Sequence, residues 1–168
     1  MIIGYSGSGK STLAKLIAEK YNLPLLYLDK VQFIENWETR DKQEALKIVK
    51  NFLDKNQDGW VIDGNYSKRY FEQRALEANQ IIFMNFNRFN CFYRAFKRSK
   101  IYKGKARESI TQGCEEKFDF EFMKWILFSG RSKTIKQNFN NIKKNYKEKL
   151  IEIKNQRQLD QYIRNNLQ

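Results

Sequence analysis

Residues 4 to 11 read Gly4-Tyr5-Ser6-Gly7-Ser8-Gly9-Lys10-Ser11, a fit to G-x-x-x-x-G-K-[ST] at every position. Glycines at 4, 7 and 9 let the backbone take positive φ and bring its N–H groups close to anionic oxygens, which a Cβ would obstruct. In such a loop the Lys10 ammonium suits the β- and γ-phosphates of a nucleotide, and the Ser11 hydroxyl suits Mg²⁺. The flanks agree with that reading. Met1 to Ile3 is the end of an apolar strand, and Leu13, Ala14, Leu16, Ile17 and Tyr21 recur at helical spacing. A strand therefore feeds the loop and a helix leaves it, aiming its positive N-terminal end at bound phosphates. Gly4, Ser6, Gly7, Ser8, Gly9, Lys10, Ser11 and Thr12 are the residues assigned to the nucleotide.

The 168 residues suffice for one core. No apolar run approaches the roughly 20 residues needed to span a bilayer, so no membrane partner and a cytoplasmic location are expected. The two cysteines, Cys91 and Cys114, form no C-x-x-C pair and suggest neither a disulfide framework nor a zinc site. With no histidine in the chain, Ser-His-Asp hydrolysis and His-ligated metal chemistry are excluded. Carboxylates, lysines, arginines and a phosphate-bound metal are left to do any chemistry. The formal charge of +13 favours polyphosphates in general, and implies at most non-specific attraction to nucleic acid.

Along the chain, Pro24 to Leu28 is an apolar run that reads as a buried parallel strand ending in Asp29. Ligands of open α/β sheets sit outside the carboxyl ends of the strands, which makes Asp29 a candidate for acceptor contact or general base. Lys30 to Glu38, with Phe33 and Trp37, reads as a connecting loop, and Thr39 as the N-cap of a helix buried through Ala45, Leu46, Val49, Phe52 and Leu53. Trp60 to Ile62 leads into Asp63-Gly64-Asn65-Tyr66, a second strand ending in a carboxylate. Asp63 there can hold a water of the Mg²⁺ shell, as a Walker-B aspartate does. Ser67 to Ala78 reads as a short helix and Gln80 to Asn85 as a fourth strand.

Phe89, Phe92, Tyr93 and Phe96 give a helix stripe at i, i+3, i+4 and i+7, expected to be core. Arg94 and Arg98 fall away from it one turn apart, with Arg88 at the helix start. Lys100 to Cys114 loses periodicity while Lys100, Lys103, Lys105 and Arg107 gather around Gly104, which reads as a basic, mobile flap. Arginines delivered by such a flap can neutralise charge on a transferred phosphoryl group. Phe118 to Phe128 is apolar almost all round, implying a helix buried on several sides or a subunit contact, with core the favoured reading. Thr134 to Lys147 follows as a polar helix and Leu150 to Ile153 as a fifth strand. Asn155 with Gln158 resembles a capping box opening a last helix.

Strand, loop and helix alternate five times, which argues a parallel sheet with helices on both faces. Gly4 to Ala14, Leu28-Asp29, the Asp63-Gly64-Asn65-Tyr66-Ser67 turn, and Gly113-Cys114 followed by Lys117 to Phe122 and Lys124-Trp125 together resemble the bacterial topology modulation proteins, FlaR-type. That family resembles a branch of the adenylate and shikimate kinase group of P-loop proteins. The resemblance implies a three-layer α/β fold of the nucleoside monophosphate kinase type, sheet order 2-3-1-4-5, one domain over 1–168 and a lid over about 88–124. It implies ATP and Mg²⁺, with transfer of the γ-phosphoryl group to a small-molecule acceptor. Lys10, Asp29, Arg94 and Arg98 are then the catalytic candidates, Arg88 a further nucleotide contact, and Ser11 and Asp63 the metal candidates. Asp63-Gly64 is followed by Asn65-Tyr66-Ser67 rather than x-Pro-Arg, the nearest arginine being Arg69, which argues against an AMP acceptor. The further acidic and glycine motifs of shikimate kinases are missing as well. The alternatives are a nucleotide-switched DNA-binding or DNA topology regulator without metabolite kinase activity, and a structural partner protein. A monomer or homodimer is expected.

Overall fold

Short, mainly apolar runs of three or four residues make each strand, with Asp63 and Glu152 the charged exceptions: β1 (Ile2–Gly4), β2 (Leu25–Tyr27), β3 (Val61–Asp63), β4 (Ile81–Met84) and β5 (Leu150–Ile153). In this computed structural model, which describes residues 1–116 and 118–167, they pair in parallel in the order β2-β3-β1-β4-β5. Lys117, part of the resemblance block and of the expected lid, lies outside the described residues. The order is the one the resemblance implies. It puts β1, and with it the phosphate loop, at the centre of the sheet.

Helices cover the sheet: α1 (Lys10–Tyr21), α2 (Leu28–Gln32), α3 (Lys42–Lys55), α4 (Phe71–Glu77), α5 (Arg88–Ile101), α6 (Phe120–Leu127), α7 (Lys133–Asn145) and α8 (Gln156–Asn166). Successive strand residues point to opposite faces. Val61 accordingly joins the core around β1, β4, α1, α7 and α8, whereas its neighbour Ile62 joins a second cluster with Leu28, Val31, Ala45, Val49 and Leu53 under α3. Phe139 of α7 stacks on Phe83 of β4 at 4.4 Å, closing the first core on the β5 side.

Several local expectations are corrected. The strand after Pro24 stops at Tyr27, and Asp29 sits in the first turn of α2 rather than on a strand end. Thr39 is not a cap, because it bridges back to Phe33; Asp41 caps α3, accepting from the N–H groups of Gln43 and Glu44. The helix expected over Ser67 to Ala78 is confined to α4, because Tyr70 takes a left-handed conformation just before it.

Helix α5 is turned about its axis relative to the expectation. Cys91 and Ala95 are its fully buried residues, while Phe89 is 73% and Tyr93 65% exposed. Small residues are needed on the inner face because the backbone of α5 runs against the phosphate loop: a Cβ on Gly7 would collide with the Cys91 carbonyl. Helix α6 is likewise a surface helix. Of its residues only Ile126 is buried, and Phe120 is 75% exposed. Asn155 caps α8 as expected, although Gln158 accepts from Lys154 N–H rather than closing a full capping box.

Candidate functional site

The loop after β1 leaves α1 open at its N-terminus, since the cap is Gly9 at φ 97°, which offers no side chain to the first N–H groups. A Cβ at Gly9 would also come within 2.9 Å of Arg94 Nη1. Lys10 Nζ donates to the Tyr5 carbonyl at 3.1 Å, which folds the lysine back over the loop. Ser11 Oγ donates to Asp63 Oδ2 at 2.6 Å, joining α1 to the end of β3. The other carboxylate oxygen, Oδ1, is buried without a partner. Burial pushes the Asp63 carboxyl above its usual range, against the pull of Lys10 and the Ser11 hydroxyl.

That orphaned oxygen bears on the metal expectation. A buried carboxylate oxygen beside a serine hydroxyl is a hard oxygen pair of the kind Mg²⁺ accepts, usually together with substrate phosphates and water. No cluster of three or more His, Cys, Asp or Glu side chains that could hold a metal exists among the described residues. Ser11 and Asp63 thus fit a Mg²⁺ that arrives with a nucleotide rather than a dedicated protein cage.

The turn after β3 is tied down from two sides. Asn65 exchanges two hydrogen bonds with the backbone of Gly4, 2.8 Å from Gly4 N–H and 2.9 Å to Gly4 O, so its amide extends the sheet by one imitation residue. Arg74 of α4, wholly buried, donates to the carbonyls of Arg69 at 2.8 Å, Tyr66 at 2.9 Å and Gly64 at 3.3 Å. Burial lowers its pKa to about 10. The turn so fixed carries Tyr66, whose hydroxyl donates to Asp29 Oδ1 at 2.7 Å. That phenol is strongly shifted upward, first by burial and then by Asp29, and stays a proton donor.

Helix α5 delivers its two arginines from the opposite side. Arg94 donates to the Ser8 carbonyl at 2.5 Å, also bonds Gln156, and lies over the Phe86 ring at 4.5 Å. Arg98 pairs with Glu116 at 2.5 Å, and Arg107 Nε sits 2.9 Å from the other Glu116 oxygen, an ion pair without linear hydrogen-bond geometry. The Glu116 side chain is only 3% exposed. Arg88 is placed elsewhere: its guanidinium faces the Phe128 ring at 6.0 Å, and it does not line the cleft.

The segment expected to be a basic, mobile flap is docked on its inner side. Thr111 Oγ1 donates to Phe33 O at 2.5 Å, Cys114 Sγ to Ile34 O at 2.9 Å, and Trp37 Nε1 to Glu115 O at 3.0 Å. Glu108 adds an ion pair with Lys15 of α1 at 2.5 Å. Lys100, Lys103 and Lys105 point outward, whereas Arg107 points in.

One cleft of about 1680 Å³ collects Ser6, Gly7, Gly9, Lys10, Ser11, Thr12, Asp29, Asp63, Arg94, Arg98 and Arg107 along its walls, together with Glu116, Phe33, Trp37 and Tyr66. Gly4 and Ser8 lie behind the loop, buried. Tyr66, Arg74 and Glu116 are additions that the sequence reading did not single out. Glu116 had a signal, an acidic pair within a basic segment; Arg74, in a short helix with mixed faces, had none.

Comparison with family models and with curated proteins returns no match. Among solved structures the chain is similar to a deoxyadenosine kinase from M. mycoides with bound dCTP, at 14% identity and a TM-score of 0.44, covering 99% of this chain and 98% of that one. The sheet order and the glycine-rich loop between β1 and α1 themselves give a parallel α/β fold with a P-loop motif at its centre. No helix among the described residues is long and apolar enough to cross a membrane.

Proposed function

We propose that the chain binds ATP with Mg²⁺ on the phosphate loop and transfers the γ-phosphoryl group to a small-molecule hydroxyl. The observation that carries this reading is the convergence, in one cleft, of Lys10, Ser11 and Asp63 with Asp29 and three arginines. Lys10 and the open N–H groups of α1 hold the β- and γ-phosphates. Ser11 and Asp63 would hold Mg²⁺, which would screen the phosphate oxygens and stabilise the charge that develops on them. The acceptor oxygen attacks the γ-phosphorus, its proton passes to Asp29, and the bond to the β,γ-bridging oxygen breaks to release ADP.

Tyr66 fixes one Asp29 oxygen, leaving the other for the acceptor. Arg98 and Arg107 keep N–H donors beyond those directed at Glu116, so each can serve the carboxylate and a phosphate together. Glu116 positions them. The resemblance to the topology modulation proteins belongs to the same reading, because the Asp63 to Ser67 turn, and Glu116, Phe122 and Trp125 within or next to the second resemblance block, all line the cleft.

A thermal-shift screen of nucleotides, followed by a screen of hydroxylated metabolites for ADP release with ATP present, tests the proposal. With an acceptor in hand, Asp29→Asn should lower kcat by about 10²-fold or more while ATP affinity holds. Undiminished transfer by that variant would remove Asp29 from the mechanism.

A further inference from the structure

We propose that the pocket between the end of α2, the start of α3 and the turn after β3 binds an anionic group, phosphate or carboxylate, of the phosphoryl acceptor. The pocket has a volume of about 340 Å³ and is lined by Gln32, Lys42, Tyr66, Ser67, Lys68 and Arg69. Three of these are cations and none is a carboxylate.

Arg69 decides the matter. It is 7% exposed, and a guanidinium so withdrawn from water is costly unless its donors are met. Its Nη2 donates to the neutral amide oxygen of Gln32 at 2.9 Å, and its Nε is buried with no partner. Buried arginines elsewhere are better supplied: Arg74 has three carbonyls, and Arg98 has Glu116. Asp41, an acidic residue near enough to feel the Arg69 charge, already accepts from Gln43 N–H at 2.8 Å and Glu44 N–H at 3.0 Å. A bound anion would complete Arg69, with Lys42 and Lys68 at the exposed rim adding charge.

The position gives the chemical class. Tyr66 and Ser67 line both this pocket and the main cleft, and the Tyr66 hydroxyl holds Asp29. One small molecule can therefore present a hydroxyl to Asp29 and an anion to Arg69. The acceptor is a hydroxylated phosphate monoester or a hydroxy acid, not a neutral alcohol. This assignment rests on the phosphoryl-transfer reading for what carries the anion, though not for the anion site itself.

Calorimetric titration of inorganic phosphate, and separately of acetate, into protein saturated with Mg²⁺ and the non-hydrolysable β,γ-imido analogue of ATP tests the proposal. The wild type should bind at least one of the two anions. Lys42→Ala/Lys68→Ala, which alters exposed side chains only, and Arg69→Gln should each weaken that binding tenfold or more. The anion that binds more tightly identifies the class. Equal affinity in wild type and variants, or no binding of either anion, overturns the proposal. If the ATP analogue itself fails to bind, the phosphoryl-transfer reading falls, and the same wild-type and variant comparison without the analogue still decides the anion site.

Discussion

Asp63 and Arg74 show how single buried charges organise the cleft. The raised pKa of Asp63 means that the folded protein keeps a proton which the unfolded chain has lost above about pH 4. This group therefore favours the fold on the acid side, and that contribution is lost as pH rises through the folded pKa. Asp63→Asn removes the dependence, so the variant should gain stability relative to wild type as pH rises from about 4 toward neutrality. Urea denaturation midpoints across that range check it, and parallel profiles would remove the burial argument. Arg74 donates to three carbonyls, one of which, Tyr66 O, also accepts from Arg69 N–H. Arg74→Met should cost about 3 kcal/mol, since the carbonyls of Arg69 and Gly64 stay buried without that donor. That corresponds to a fall in melting temperature of roughly 10 °C for a chain of this size.

At the level of elements, α5 is the telling case. A sequence pattern weights large aromatic side chains, so Phe89, Phe92, Tyr93 and Phe96 read as the buried face. The true inner face is Cys91, Arg94, Ala95 and Arg98, chosen by how closely α5 must approach the loop and by what the cleft needs. Strands and the phosphate loop were legible because they depend on local runs and on glycines at fixed spacing. The fixing of Asp29 by Tyr66 was not, because the two are 37 residues apart and meet only through the pairing of β2 with β3. The docking of the segment beyond α5 was not legible for a similar reason: its anchors, Thr111 and Cys114, bond to main-chain oxygens near residue 33. If the inward arginines act on a triphosphate, Arg98→Ala should lower kcat for ATP turnover at least about tenfold, roughly 1.4 kcal/mol. The outward Lys103→Ala should change it little. Equal effects in steady-state assays would mean that the positive charge there is only surface. Arg94→Ala should also weaken ATP binding, because Arg94 supports the Ser8 carbonyl of the loop.

For the whole molecule, the net charge of +13 and the proposed nucleotide site make separate claims. Attraction to duplex DNA through bulk charge should fall steeply with salt and be weak at about 150 mM, as a salt series of anisotropy titrations would show. Sub-micromolar binding there, indifferent to ATP, would favour the regulatory alternative over a kinase. The central claim is that the loop between β1 and α1 holds ATP with Mg²⁺. Calorimetric titration of ATP into wild type and Lys10→Ala, each with and without Mg²⁺, tests it most directly. The expected result is Mg²⁺-dependent binding to wild type and at least tenfold weaker binding to the variant, about 1.4 kcal/mol, with an unchanged melting temperature. Equal ATP affinity in the two proteins would contradict it.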